Sequence, residues 1–236
     1  MSRHPWEVPA VVSGLRRQAA DRDRTLAGSA RHLGWKVGFG APSALRSMDL
    51  DAPLLGHLTD ATLLADGSKI DVSTWSRGVV EFEVAVTMAA DVELGASEGD
   101  ARAAVGAVGP AIELADVDIA PGPDTIEDIV AGNIFHRGVV LGMPDHARAG
   151  IDTDALTARI LVDGVERESV TDLEALTGSY PHIVVTVAET LGTIGERLRA
   201  GDVIITGSVI PPVDVDAGTS FRFLLGSFPP ISIGLG

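Results

Sequence analysis

An apolar segment that carries two carboxylates places the strongest constraint on how this chain folds. β-Branched and other apolar residues dominate Arg77–Met88, which predicts a β-strand. Side chains alternate along a strand, so Glu81 and Glu83 share one face and the opposite face is apolar. Two carboxylates in apolar surroundings repel each other and lose hydration unless a cation such as Mg²⁺ or Mn²⁺ compensates them. A half-exposed strand with both acids in water fits the pattern as well.

Composition and charge exclude several classes of protein. The chain has 236 residues, 45% of them hydrophobic, which is enough for one domain with a substantial core. Its formal net charge of -15 argues against nucleic acid or an anionic membrane as a partner. The absence of cysteine excludes disulfides, zinc–thiolate sites and a cysteine nucleophile. Residues 1–9 lack a signal-peptide core and no apolar run reaches transmembrane length, so we expect a cytoplasmic protein.

Strand patterns dominate the middle and end of the chain, with helical patterns interspersed irregularly. Residues 9–32 have the pattern of one or two amphipathic helices, and Tyr180–Leu198 has the spacing of a longer one. Residues 129–138 have helical character that ends at Gly138, and residues 51–60 are predicted to form a loop. Asp163-Gly164 predicts a hairpin turn. This order favours an α+β fold over a doubly wound sheet.

A lysine lies in a short glycine-rich strand predicted for Gly34–Gly40. Alternation places Lys36 on the same face as the glycines, opposite the aromatic side chains. A buried ammonium needs an anion or a route to water, so both a pocket lysine and a surface lysine are compatible with the pattern. Gly38 and Gly40 would leave room for a ligand to approach the backbone.

Further polar residues lie in or beside apolar runs. Glu113 belongs to a second predicted buried strand, Pro110–Val117. His57 and Asp60 could form a proton-handling pair, and a turn or cap role for Asp60 is equally compatible with the local sequence.

Taken together, these segments resemble the fumarylacetoacetate hydrolase superfamily, in particular its branch of 2-oxopent-4-enoate hydratases and 4-oxalocrotonate decarboxylases. The resemblance covers residues 34–236 as a catalytic domain, preceded by a helical segment at residues 1–33. It implies an α+β fold, a mixed β-roll or sandwich with peripheral helices, and a homodimer or larger homo-oligomer. It rests on the shared order and spacing of Gly34-Trp-Lys-Val-Gly38, Gly56-His-Leu-Thr-Asp60, Val80-Glu-Phe-Glu-Val-Ala85, Pro110-Ala-Ile-Glu113, Val130-Ala-Gly-Asn133, Leu198–Ser208 and Val215-Asp-Ala-Gly218.

The resemblance assigns roles to individual residues. Glu81, Glu83 and Glu113 match the family's divalent-metal ligands, and Mg²⁺ or Mn²⁺ held there would chelate the C1 carboxylate and C2 oxo group of a 2-oxo acid. Lys36 matches the active-site lysine, and Asp60 matches an acid that hydratases use in proton transfer. The substrate-pocket positions are matched by Asn133, Thr206, Gly207 and Ser208.

The implied function is a metal-dependent lyase that acts on a small 2-oxo or 2-hydroxydienoic acid through a metal-bound enolate, most directly a hydratase. A decarboxylase of a 2-oxo diacid and a C–C bond hydrolase share the same parts. A non-catalytic ligand-binding protein is a further alternative, against which the retention of buried charges argues. An ordered His–Glu pair over the metal would favour hydrolysis, and a lysine-lined pocket without one would favour the lyase.

Some positions depart from the family's pattern. Phe39-Gly40 stands where hydratases tend to carry Leu and a hydroxyl residue, and Gly132 stands where an acid is common. Bulky residues at 134–136 replace small ones. We expect these changes at the pocket wall. His32 lies just before the Lys36 strand and is interpreted as a surface residue, although superfamily hydrolases recruit a nearby His–acid pair.

Overall fold

A computed structural model describes residues 2–236, which form five α-helices and twelve β-strands. The helices are α1 Pro9–Ala27, α2 Pro42–Met48, α3 Glu98–Ala104, α4 Ile126–Ala131 and α5 Tyr180–Gly192. The strands are β1 His32–Gly38, β2 Leu54–Thr59, β3 Ser68–Ile70, β4 Gly78–Met88, β5 Val105–Asp116, β6 His136–Leu141, β7 Ala158–Val162, β8 Val165–Val170, β9 Val203–Ser208, β10 Val213–Asp214, β11 Ser220–Leu225 and β12 Ile231–Leu235. The predicted α+β class is confirmed.

The strands form two mixed sheets. The larger sheet has the order β2-β1-β9-β4-β5-β6, with β10 paired to β4, and the smaller has the order β3-β12-β11-β7-β8. β1 and β9 run parallel, as do β3 and β12, and the other pairs are antiparallel. The predicted Asp163-Gly164 turn joins β7 and β8, and both residues have positive φ.

The central strand of the larger sheet is β4, which separates the main core from the polar site. On its apolar face the ring centroid of Phe82 lies 5.9 Å from that of Phe221 and 5.6 Å from that of Phe223, both in the smaller sheet. Glu81 and Glu83 project from the opposite face, as the alternation predicts. On that face a separate small apolar cluster packs beside the carboxylates; it consists of Leu58, Ala85, Ala111, Val139 and Ile205.

Three sequence-based boundaries are wrong. The predicted loop at residues 51–60 contains β2, which is buried and pairs with β1. The helix predicted to reach Gly138 ends at Ala131, because positive φ angles at residues 133–135 break it before β6 begins. The helix predicted to reach Leu198 ends at Gly192, and Gly195 then adopts φ 78°. These corrections place β2 and the segment 133–135 beside the strand of Lys36.

The N-terminal helix α1 packs against α4 and β2. The predicted division of the chain between residues 33 and 34 falls within β1, and the two-part domain organisation stays a prediction. None of the helices in residues 2–236 combines the length and apolar character needed to cross a membrane.

Candidate active site

Three carboxylates meet on the polar face of β4 and β5. Glu81 and Glu113 are directly opposite each other in the antiparallel pair, and Glu83 lies one side-chain step further along β4, opposite Ser208 of β9. Each residue offers one oxygen, and these three oxygens lie within 4.8 Å of one another. Glu83 and Glu113 are fully buried, whereas Glu81 is partly exposed. Register and alternation therefore assemble the trio that the sequence predicted.

Hydrogen bonds satisfy only part of this cluster. Glu83 Oε2 accepts from the Gly207 backbone N–H at 2.5 Å. Glu113 Oε1 accepts from Lys36 Nζ and lies 2.8 Å from His136 Nδ1. Within residues 2–236, the buried atoms Glu83 Oε1 and Glu113 Oε2 have no hydrogen-bond partner. Unpaired oxygens on two buried, neighbouring carboxylates are unfavourable unless a cation compensates them.

Charge and burial shift the pKa of each acid differently. Burial, together with the charge of Glu113, raises the pKa of Glu81 to about 7. Burial and the charges of Glu113 and Glu81 also raise the pKa of Glu83. Burial opposes ionisation of Glu113 as well, but Lys36 and His136 outweigh it and lower the pKa of that group. Three carboxylates and one ammonium carry a formal charge of −2 when ionised, which a divalent cation would balance.

Lys36 of β1 is buried, with its side chain between β2 and Glu113 of β5. Burial disfavours its charge, but Glu113 and Glu81 outweigh burial and raise its pKa, so it is an ammonium. Its Nζ also donates to the Ile134 carbonyl at 3.2 Å. Gly56 lies opposite it on β2, where a Cβ would come within 2.8 Å of Lys36 Cγ. Glycine at residue 56 therefore makes room for the lysine, a role that the sequence analysis did not assign.

A cavity of about 420 Å³ opens beside this cluster. Lys36, Glu81, Gly207 and Ser208 contribute its polar part. The remainder of its wall is mainly apolar and includes Val37, Phe39, Val79, Ala115, Val117, Pro121, Ile134, Phe135, Leu176, Ile210, Pro211 and Pro212, with Ser43, Arg77 and Thr177 as further polar members. Of the departures from the family's pattern, Phe39, Gly40, Ile134 and Phe135 lie at the pocket wall as expected, whereas Gly132 and His136 do not line it.

Besides the buried carboxylates Glu83 and Glu113, three of the predicted site residues do not line this cavity. The carboxylate of Asp60 accepts from the backbone N–H of Arg31 at 2.7 Å and from its Nε at 2.8 Å. Asp60 directly follows Thr59, which pairs with His32 at the start of β1. Lys36 is four residues further along β1, roughly 13 Å from His32. The structure therefore brings Asp60 neither to the carboxylates nor to His57.

Asn133 and Thr206 make structural hydrogen bonds. Asn133 acts as an extra partner for β2, accepting from the His57 N–H at 2.7 Å and donating to the His57 carbonyl at 3.0 Å. Thr206 is buried and donates to the Val84 carbonyl at 2.8 Å, between β9 and β4. Their assignment as substrate-binding residues stays a prediction that their positions do not support.

His136 contacts the carboxylate cluster, a role that the sequence did not predict. Its side chain is 1% exposed and lies behind Glu113, with Nε2 3.0 Å from Thr62 Oγ1. A carboxylate only accepts hydrogen bonds, so Nδ1 must carry the proton shared with Glu113. Its position at the start of β6, next to β5, was hidden by the helix predicted through residue 138.

The histidine noted before the lysine strand lies elsewhere. His32 Nε2 is 3.3 Å from Asp202, whose carboxylate also accepts from Trp35 Nε1 at 2.9 Å. Neither His32 nor Asp202 lines the cavity. His57 is a third histidine outside the cavity wall, and burial lowers its pKa to about 3, so it is neutral at pH 7.

Comparisons with known proteins identify the family of this chain. Residues 31–231 match the family described as fumarylacetoacetate (FAA) hydrolase C-terminal. The chain is 28% identical to a 4-oxalocrotonate decarboxylase of a Pseudomonas species, over 87% of this chain and 81% of that protein. It is also 28% identical to a 2-keto-4-pentenoate hydratase of Paraburkholderia xenovorans, over 87% of this chain and 76% of that protein.

A solved structure extends the likeness to the fold. The 4-oxalocrotonate decarboxylase of Pseudomonas putida G7, complexed with magnesium and adipate, superposes with a TM-score of 0.82 at 24% identity, covering 93% of this chain and 83% of that chain. The predicted fold type, a mixed β-roll or sandwich with peripheral helices, is thereby confirmed. With residues 31–231 matched and the two-sheet fold shared, the chain belongs to the fumarylacetoacetate hydrolase family.

Proposed function

We propose that this protein is a divalent-metal-dependent lyase acting on a small 2-oxo or 2-hydroxydienoic acid, most directly a hydratase of the 2-oxopent-4-enoate type. The observation that carries the proposal is the pair of unpartnered, buried oxygens, Glu83 Oε1 and Glu113 Oε2, beside Glu81 at the polar part of the cavity. The names of the relatives, which include hydratases and decarboxylases, support the same reaction class.

Glu81, Glu83 and Glu113 would hold the metal. Their oxygens are the hard ligands that Mg²⁺ and Mn²⁺ prefer, and structural neighbours bind magnesium, calcium or manganese. When bound, such a cation polarises a carbonyl and stabilises negative charge that develops on its oxygen. The Gly207 N–H orients the carboxylate of Glu83, and Lys36 and His136 orient that of Glu113.

Lys36 would bind and stabilise the anionic substrate. An ammonium has three N–H donors; of the partners in residues 2–236, Glu113 and Ile134 occupy two, and Lys36 lines the cavity. A donor in a buried site stabilises the oxygen that becomes negative when a proton leaves C3 of a 2-oxo acid. Asp60 is left out of this mechanism because it lies far from Lys36 along β1.

The lining of the cavity favours a lyase over a C–C hydrolase. Among the described residues that form its wall there is a lysine but no histidine. The His32–Asp202 pair lies outside the wall, and His136 lies behind Glu113 and is 1% exposed. No His–acid pair of the described chain is therefore placed to activate water in the cavity. Decarboxylation of a 2-oxo acid would use the same residues and is the second candidate.

The test is metal-dependent deuterium exchange at C3 of 2-oxo acids, followed by NMR, with Glu83→Gln as the variant. We expect exchange to be lost in E83Q. Mg²⁺ at 100 times its Kd should stabilise the wild type by about 2.7 kcal/mol, or roughly 5–10 °C in Tm, and should not stabilise E83Q. Glu168→Gln, an exposed residue of β8, is the matched control and should retain both responses. An E83Q protein that exchanges C3 and responds to Mg²⁺ refutes the ligand assignment.

A homodimer or larger homo-oligomer and a cytoplasmic location complete the proposal. Both follow from the resemblance to the family and from the sequence analysis. Sedimentation of the purified protein tests the oligomeric state.

A further inference from the structure

The polar face of β4 changes its chemistry along the strand. Alternate positions run from Glu83 through Glu81 and Val79 to Arg77, with about 7 Å between successive side chains. Arg77 continues the ladder just before β4, because its carbonyl accepts from the Val117 N–H at 2.8 Å. An apolar step at Val79 therefore separates the carboxylates from the cavity rim, where Arg77 lies.

The neighbouring strand β5 also presents an apolar side chain at the level of Val79. Ala115 of β5 pairs with Val79, and both residues are buried and line the cavity. The Arg77 side chain is 68% exposed and its Nε lies 3.5 Å from Asp214 Oδ1. The positive charge of Arg77 at this outer wall therefore lies in solvent, next to the Asp214 carboxylate, which already compensates it.

Two aromatic rings that contact each other line the cavity. Phe39 and Phe135 meet edge to face, with ring centroids 6.1 Å apart. Their backbones have φ angles of 60° and 62°, in the left-handed region that bulky residues rarely adopt. Such strain persists only where the surroundings impose it, and here it holds both rings at the cavity wall.

The spacing of these groups disfavours a second carboxylate on the substrate. In a six-carbon 2-oxo diacid, C6 lies roughly 5 Å from C2, since three backbone-like bonds span about 3.6 Å. With its oxo acid end at Glu81, the C6 carboxylate would lie beside Val79 and Ala115, whose side chains offer no donor. A carboxylate buried there would lose hydration without compensation. Arg77 is about two strand steps from Glu81, roughly 13 Å along the strand.

We infer that the outer part of this cavity is a subsite for an uncharged, apolar tail. The enzyme would then select 2-oxo monocarboxylic acids with a carbon chain longer than five atoms and reject 2-oxo diacids. The inference rests on the proposed function and specifies its substrate class. Phe39, Phe135 and Val79 form the subsite.

The size of the cavity supports the longer tail. A five-carbon 2-oxo acid has about eight heavy atoms, which occupy at most about 240 Å³ at about 30 Å³ each, the volume of a water molecule in the liquid. The cavity of about 420 Å³ has space for several more carbon atoms. Each further methylene buried against Phe39 and Phe135 should improve binding by about fourfold.

The experiment compares three acids on the Mg²⁺-loaded enzyme: 2-oxopentanoate, 2-oxo-octanoate and 2-oxoadipate. The last two have equal numbers of heavy atoms and differ in the charge of the tail. We expect C3 deuterium exchange at subsaturating concentration to be about tenfold or more faster for 2-oxo-octanoate than for 2-oxopentanoate, and slowest for 2-oxoadipate. Calorimetry should give 2-oxo-octanoate the lowest Kd and the most negative heat-capacity change.

Variants locate the subsite. Phe135→Ala and Phe39→Ala should each reduce the ratio of 2-oxo-octanoate to 2-oxopentanoate exchange by several-fold. Met143→Ala, at a residue 72% exposed and outside the cavity wall, is the control and should leave that ratio unchanged. The ratio is an internal comparison within one variant, so a general loss of folded protein does not mimic the effect.

Several outcomes would overturn the inference. Equal exchange of the two monoacids overturns the tail subsite, and so does efficient exchange of 2-oxoadipate that Arg77→Gln abolishes; either result leaves the proposed function intact. Absence of metal-dependent exchange with all three acids refutes the proposed function. Calorimetry then tests the subsite separately. Tighter binding of 2-oxo-octanoate than of 2-oxoadipate supports the apolar subsite, and the reverse order overturns it.

Discussion

Replacement of His136 tests whether a buried residue behind the carboxylates controls metal affinity. Glu113 Oε1 has two donors, Lys36 Nζ and His136 Nδ1, while Oε2 faces no partner within the described chain. We expect His136 to act as a positioning residue. By fixing one oxygen of Glu113, it keeps the other available to a cation.

The magnitude follows from the loss of one hydrogen bond to a buried carboxylate. Such bonds contribute about 1.5–3 kcal/mol. At 1.4 kcal/mol per factor of ten, this corresponds to roughly 10- to 100-fold in affinity. Loss of a residue that supports a metal ligand typically weakens metal binding by about the same factor. We therefore expect His136→Leu to raise the Kd for Mg²⁺ or Mn²⁺ about 10- to 100-fold.

A pair of polar variants separates the two nitrogens of the ring. The side-chain nitrogen of Asn is bonded to Cγ, as Nδ1 is in His, so His136→Asn can restore the donor to Glu113. In Gln the amide lies one bond further out, where it can reach Thr62, which is 3.0 Å from Nε2. Calorimetric titration of the metal should rank the affinities as wild type, then H136N, then H136Q and H136L.

Two results would refute this argument. Wild-type metal affinity in H136L would mean that Lys36 alone orients Glu113. Equal losses in H136N and H136L would mean that the imidazole acts through packing, because its side chain is 1% exposed. Melting temperatures without metal, measured on all three variants, report general destabilisation separately from the loss of metal affinity.

The remaining predictions concern packing and pH. Gly56→Ala should destabilise the fold by about 1–3 kcal/mol in urea unfolding and abolish C3 exchange, because the new Cβ would lie 2.8 Å from both Lys36 Cγ and Asn133 Oδ1. Without metal, stability should fall as pH rises from about 5 to 8: burial raises the pKa of Glu81 to about 7, so the folded state retains a proton that the unfolded state has released, and Mg²⁺ should oppose this loss. Asp202→Asn should cost about 1–3 kcal/mol at pH 7 and progressively less as the pH falls below about 3.9. Burial alone would raise the pKa of Asp202, but its hydrogen bonds lower it, so its contribution is present above the usual Asp pKa of about 3.9 and is lost as pH falls through the folded value.

The carboxylate trio was predictable from the sequence because it depends on local periodicity and on the resemblance to the family. Alternation within β4 places Glu81 and Glu83 on one face, and the antiparallel register then brings Glu113 opposite Glu81. Lys36 was predictable for the same reason, since its strand carries a clear alternation of aromatic and glycine positions.

Residues positioned by long-range contacts were not predictable in this way. The segment 133–135 has helical composition, but the Asn133 side chain accepts one hydrogen bond from β2 and donates another to it, and three successive residues have positive φ angles. The same error hid His136, because a helix continued through it would not have placed it at the start of a strand beside Glu113. β2 was missed because Gly56 interrupts its pattern, and the reason for that glycine is the lysine on the neighbouring strand.

The energetics of the carboxylate cluster separate a functional site from a structural ion network. A network that only stabilised the fold would pair its buried charges, since an unpaired buried charge is strongly destabilising. Here Lys36 and His136 both lie on one oxygen of Glu113, while Glu83 Oε1 and Glu113 Oε2 have no partner within residues 2–236. The unpaired oxygens lie beside Glu81, which lines the cavity, and their cost to the metal-free fold disappears when a cation binds. Stability and metal binding should therefore be coupled at this site, and under the proposed function a cation held by these carboxylates would also polarise a 2-oxo acid in the cavity.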